Sequence, residues 1–181
     1  MSTLIANTLQ GINTIKYDAS TTAIGIDSTG RVTKPNNPAF SAFCTAITNV
    51  AGSATPFKPT RIDINVGSMY NSTTGRATIP VAGIYYFHFQ GLAHSTERDN
   101  IDLRFYINGN QAQSGSVYEP DWIGSGYRKV MMSTILSLSV NDYVTVQTQA
   151  GSADFDFYGD NNPFYSTAGS GHSGFQGFLI G

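Results

Sequence analysis

Residues Gly83 to Phe89 read Gly-Ile-Tyr-Tyr-Phe-His-Phe. A period of two places Tyr85, Phe87 and Phe89 on one side of an extended strand and Ile84, Tyr86 and His88 on the other. A helix would scatter the same rings round its axis. Both sides of the strand are therefore large and mostly apolar. A sheet with one solvated face shows a polar side on each strand, so this strand is predicted to be covered twice. Its own core supplies one cover, and further copies of the chain are expected to supply the other.

The rest of the chain from Phe40 onwards repeats the extended pattern. Ile62, Ile64 and Val66 alternate with Asp63 and Asn65, and Ile101, Leu103, Phe105 and Ile107 with Asp102, Arg104 and Tyr106. The second run ends in Asn108-Gly109, a strong two-residue hairpin signal. Arg128–Val140 and Tyr143–Ala150 flank the turn Asn141-Asp142, and Asp154–Tyr158 alternates again. About ten short strands with no helical periodicity predict an all-β sandwich or jelly roll. Tyr118–Gly126 and Gly159–Gly174 read as loops.

Residues 1–38 differ in character. Ile24 and Ile26 precede Asp-Ser-Thr-Gly30, a turn by composition, and Val32 follows. This reads as a small β-hairpin with too little apolar surface to fold alone. Pro35 and Pro38 punctuate a linker, so the predicted division is 1–38 and 39–181.

Composition narrows the function. Only 12 % of residues are charged and the net charge is −2, so no broad basic face is available for nucleic acid or anionic lipid. The polar surface must come from Ser, Thr, Asn, Gln and Gly. No segment reaches the ~18–20 apolar residues of a membrane-spanning helix. The first residues lack a basic region followed by an apolar run, so they do not read as a secretory leader. Synthesis in a cytoplasm is expected, with exposure at a surface only after assembly or lysis. The single cysteine, Cys44, has apolar neighbours and reads as a buried structural thiol.

Several motifs carry a family resemblance. Gly83-x-Tyr85-x-Phe87-x-Phe89, preceded by Asn65, Tyr70, the Asn71–Gly75 turn and Pro80–Gly83, resembles the signature of the C1q-like globular domain. Leu136–Val146 is similar to that family's penultimate hairpin and Phe175–Ile180 to its last strand. Ala77 and Pro59 stand where the family has Phe, with Phe57 two residues before the latter. The resemblance spans residues 40–181. It implies a C1q/TNF-like jelly roll and a compact homotrimer with the 83–89 strand near the threefold axis. The predicted subunit interface is therefore Tyr85, Tyr86, Phe87, His88, Phe89, Phe178 and Ile180. Segment Leu9–Pro35 and the junction Pro35-Asn-Asn-Pro38-Ala-Phe40 resemble the N-terminal segments of marine bacteriophage tail-fibre and other virion appendage proteins. That implies docking to virion proteins through residues 1–34, with residues 1–38 serving as an attachment and trimerisation segment and linker.

No nucleophile elbow, zincin helix or Cys/His metal spacing occurs. His88 reads as a packed or axis-facing residue, and His94 and His172 as loop residues. Asp154, Asp156 and Asp160 form the nearest acidic cluster. They read either as a hard-cation site, since oxygen ligands suit Ca²⁺, or as a solvated strand face. No other cofactor is expected. The candidate ligand surface is Tyr118, Glu119, Asp121 and Trp122, extended by Tyr158, Asn161, Asn162 and Tyr165. Flat rings beside carboxylates suit a sugar's apolar face and its hydroxyls. The competing reading has Trp122 capping the sandwich or packing on a neighbouring subunit.

Together these readings predict a non-enzymatic phage virion appendage, of tail-fibre or head-fibre type. A trimeric head would bind a host receptor or surface glycan. The alternatives are a capsid decoration protein without receptor binding and a free C1q-like lectin.

Overall fold

The computed structural model describes residues 11, 13–16, 18–46, 48–50, 55–95, 99–122, 126–148, 155–159 and 172–181. Backbone contacts divide the chain into two units, Met1–Asn37 and Pro38–Gly181.

In the first unit, β1 (Thr14–Lys16), β2 (Thr22–Ile26) and β3 (Val32–Thr33) form an antiparallel sheet in that order. Each turn is held by an aspartate. Asp18 accepts from the backbone N–H groups of Ser20 (2.8 Å) and Thr21 (2.6 Å). Asp27 accepts from the Thr29 N–H (2.9 Å) and from Arg31 Nε (2.6 Å). Hydrogen bonds to the ionised form favour it, so both carboxyls are held down at about 2. For Asp18 the Ser20 N–H is the largest cause, and for Asp27 the Thr29 hydroxyl. The expected hairpin is present as β2–β3. Strand β1 went unread because Gly11, Asn13 and Thr14 mask its short pattern.

The second unit is a sandwich of two antiparallel sheets, and the described residues contain no helix. The larger sheet runs β5 (Thr48–Val50), β14 (Phe155–Phe157), β9 (Gly83–Ser95), β15 (Gly174–Leu179), β4 (Ala39–Phe43), β6 (Arg61–Val66), with β12 (Gly126–Leu138) also paired to β9. The smaller runs β11 (Asn110–Trp122), β10 (Asp99–Ile107), β13 (Tyr143–Thr148), β8 (Arg76–Thr78), β7 (Tyr70–Asn71). Two readings need correcting. His94 is a strand residue of β9, and Tyr118–Trp122 continues β11 instead of forming a loop. Polar residues and Pro120 hide that extension, and pairing to β10 decides it: Tyr118 lies opposite Asp102 and Glu119 opposite Ile101.

The core is built of rings. Tyr85, Phe87 and Phe89 are wholly buried, together with Phe57, Phe105, Phe157 and Phe175. Phe57, Phe89 and Phe157 meet pairwise edge-on at 5.2–5.5 Å between centroids, a favoured aromatic geometry. Phe87 of the larger sheet meets Phe105 of the smaller at 6.4 Å. Phe57, early relative to the family pattern, fills its place because the Phe57 N–H donates to Val146 C=O (2.8 Å) and draws segment 55–60 onto β13. Cys44 is buried and its sulfur accepts from Thr48 Oγ1 (3.3 Å).

Two backbone positions depend on their residue types. Asn108 and Gly109 have φ of 52° and 81°, the left-handed pair that a two-residue hairpin requires. At Gly177 a Cβ would lie 2.6 Å from the Phe87 ring and 2.8 Å from that of Phe40. Gly177→Ala is therefore expected to cost roughly 1–3 kcal/mol through overpacking. A urea midpoint unchanged from the parent would show that the rings can move aside.

Candidate functional site

Register places the side chains of the larger sheet in rows, and one face of each row lies outside the sandwich. Across β12, β9, β15 and β4, Ile135 stands beside Tyr86, Phe178 and Ala39; one row on, Ser133 stands beside His88, Gln176 and Ser41. Beyond Ser41, β6 contributes Ile64. Ile64, Ile84, Met131, Ile135, Phe178 and Ile180 are between 47 % and 61 % exposed, so a band of large apolar groups faces outward from a folded protomer. Tyr86 and Phe178 lie 5.4 Å apart and, with Phe40, Ser41, Ile64 and Gly177 among others, line a groove of about 320 Å³.

The predicted interface therefore splits in two. Tyr86, His88, Phe178 and Ile180 do lie on this outer face. Tyr85, Phe87 and Phe89 do not: they are fully buried inside their own sandwich, because a strand offers each residue one side only. Sequence reasoning missed Met131, Ile135 and Ile64. The signal was present, since Val130, Met132 and Leu136 are apolar on one parity of β12 and Met131 and Ile135 on the other.

His88 is half-buried near the middle of this face. Burial disfavours its charged form and Lys129 does so by repulsion, so its pKa lies below the usual 6.5, with a hydrogen bond to Gln90 acting the other way. Between the folded and unfolded pKa values the unfolded chain binds more protons. Stability from neutral His88 is thus present above about pH 6.5 and lost as the pH falls below it. His88→Gln should flatten the thermal midpoint between pH 7.5 and 5.5. An equal acid-side drop in both proteins would assign it to other groups.

The outer face of the smaller sheet has the opposite character. Asp102 and Arg104 form a doubly hydrogen-bonded pair, at 2.7 Å for each contact, which holds the guanidinium pKa above its ordinary value. Gln147 Nε2 donates to Thr145 Oγ1 (2.7 Å). Tyr118, opposite Asp102 in register, is 57 % exposed. Thr145 and Gln147 are nonetheless buried, at 1 % and 8 % exposed, and the Asp102–Arg104 pair is largely covered, so of these groups Tyr118 alone stands well out of the sheet.

The other predicted ligand residues divide as follows. Glu119, Asp121 and Trp122 belong to the backbone of β11, with Trp122 opposite Asp99. Tyr158 is not an exposed platform: it is 8 % exposed and packs on Tyr127 (5.1 Å) and His94 (5.8 Å). Burial, more than its hydrogen bond to Tyr127, raises its phenol pKa. Asn161, Asn162 and Tyr165 lie outside the described residues, as do Asp154 and Asp160. Asp156 sits on β14 opposite His94. Among the described residues no three His, Cys, Asp or Glu side chains group to hold a metal ion.

Comparison with solved structures gives the same architecture. The globular domain of zebrafish complement 1qA protein superposes with a TM-score of 0.54 at 21 % identity, covering 80 % of this chain and 98 % of that one. The TNF Eiger of S. frugiperda gives 0.58 at 10 % identity, covering 81 % and 94 %. A family model, the C1q domain, matches residues 39–180. With a C1q/TNF-like sandwich in place and most of its length matched, the chain belongs to the C1q domain family.

Proposed function

We propose that this protein is a non-enzymatic, homotrimeric binding head carried on a phage virion. Residues 1–34 attach it to other virion proteins. The head displays the polar face of its smaller sheet, with Tyr118 and the Glu119–Trp122 segment, to a host receptor or surface glycan. The observation that carries the reading is the contrast between the two outer faces. Large exposed apolar patches mark interaction surfaces on soluble domains, and Ile135, Phe178 and their neighbours form an exposed apolar band. A closed cyclic assembly covers it and leaves the smaller sheet, with the exposed Tyr118, outward. Three copies of a weak site then act together, and avidity replaces single-site strength.

Two measurements test this. Tyr118→Ala and Trp122→Ala in the full chain should each abolish retention on a glycan array, with assembly mass unchanged. Retention by both variants would move the site elsewhere. Antibodies raised against the chain should label intact particles in electron micrographs, and unlabelled particles would refute the virion assignment.

A further inference from the structure

The small N-terminal sheet has two unlike faces. Residues opposite each other in an antiparallel sheet point the same way. Ile15 stands opposite Ile24, and Ile26 opposite Val32, while Ile24 and Ile26 are two apart on one strand. All four therefore share a face. Thr14, Gly25 and Thr33 occupy the other. Yet Ile15 is 47 % and Val32 63 % exposed, and among the described residues of 11–37 none is buried. Three short strands whose apolar face is open at Ile15 and Val32 and only half-covered at Ile24 and Ile26 lack the packing that such a sheet needs to be stable.

We infer that this face is covered by the same face of sister chains, so that residues 11–37 complete their core only between copies. Two observations choose that occupant. Four aliphatic side chains cannot supply the roughly 800 Å² per partner that holds a freely diffusing protein. They suffice for a partner already tethered nearby, where effective concentrations reach the millimolar range. The sister chains of the proposed trimer meet that condition, and the inference rests on that reading. Charge also permits self-contact. Asp27 is neutralised within its own chain by Arg31; the one charge among the paired positions of this face is Lys16, opposite Thr22 beyond a bulge, where its Nζ donates to the Ala19 C=O (3.2 Å).

The test uses the full chain with Cys44→Ala, so that one introduced thiol reports. Val32→Cys places it on the apolar face; Thr33→Cys, one residue on, places it on the polar face. Facing sheets pack about 10 Å apart, beyond the ~7 Å Cα separation a disulfide tolerates, so a short bismaleimide is the probe. With the tether in place, Val32→Cys should cross-link chains at least about fivefold faster than Thr33→Cys. Adding Ile135→Asp and Phe178→Asp, which remove the tether, should abolish the difference. Equal rates at the two positions, or no cross-linking while light scattering still reports a multimer, would overturn the inference. A parent chain that is monomeric by light scattering would instead refute the trimeric reading beneath it.

Discussion

Phe87→Ala is expected to destabilise the head by about 3–5 kcal/mol, the usual range for deleting a ring from a packed core. Phe87 is fully buried and its ring meets those of Phe40, Tyr85, Phe105 and Phe175. One of those partners, Phe105, belongs to the opposing sheet, so truncation opens a void at the joint between sheets, where neither can close it alone. Against a typical total of about 5–15 kcal/mol this leaves a chain near its folding threshold, and urea unfolding measures the loss. The adjacent substitution, Tyr86→Ala, serves as the contrast. Tyr86 lies on the outer face, half-buried against Phe178, and its removal should leave the protomer's unfolding midpoint nearly unchanged when measured on an unassembled chain. Comparable losses at the two positions would mean that the inside and outside of this strand had been misassigned.

Ile135→Asp combined with Phe178→Asp should convert the proposed trimer to folded monomers. Both positions are about half exposed in the protomer, so two carboxylates there stay hydrated and cost the isolated fold little. In an assembled interface they would be buried without partners. Several kcal/mol per uncompensated ion, at about 1.4 kcal/mol per tenfold, shifts dissociation by at least roughly 1000-fold. Light scattering at micromolar concentration reads the mass directly, and far-ultraviolet circular dichroism checks that the sandwich persists. If the double variant keeps the parent's multimeric mass, the apolar band is not the subunit contact.

Much of the head could be read from residue order. Alternation located β9 and β10, the Asn108-Gly109 pair located the hairpin between β10 and β11, and the motif series from Tyr70 to Ile180 pointed to the family. The candidate site was less legible. Tyr118–Trp122 looked like a loop because its composition is polar and contains proline, features that local propensity assigns to turns. Pairing with β10 overrode that. Tyr158 looked like a surface aromatic and is buried, since β14 joins β9 and brings Tyr158 against His94 and Tyr127.

What residue order determined by itself was that Gly83–Phe89 is extended and bears large groups on both sides, because a period of two follows from backbone geometry alone. Which parity would be the interior was decided only in three dimensions. Tyr85, Phe87 and Phe89 became core because Phe57, Phe105 and Phe157 arrive from distant segments to pack on that side. Ile84, Tyr86 and His88 became surface because β12 and β15 flank β9 edge to edge and cover neither face. Packing partners brought in by long-range pairing are invisible to any window of neighbouring residues, and they decide which of two similar faces is buried.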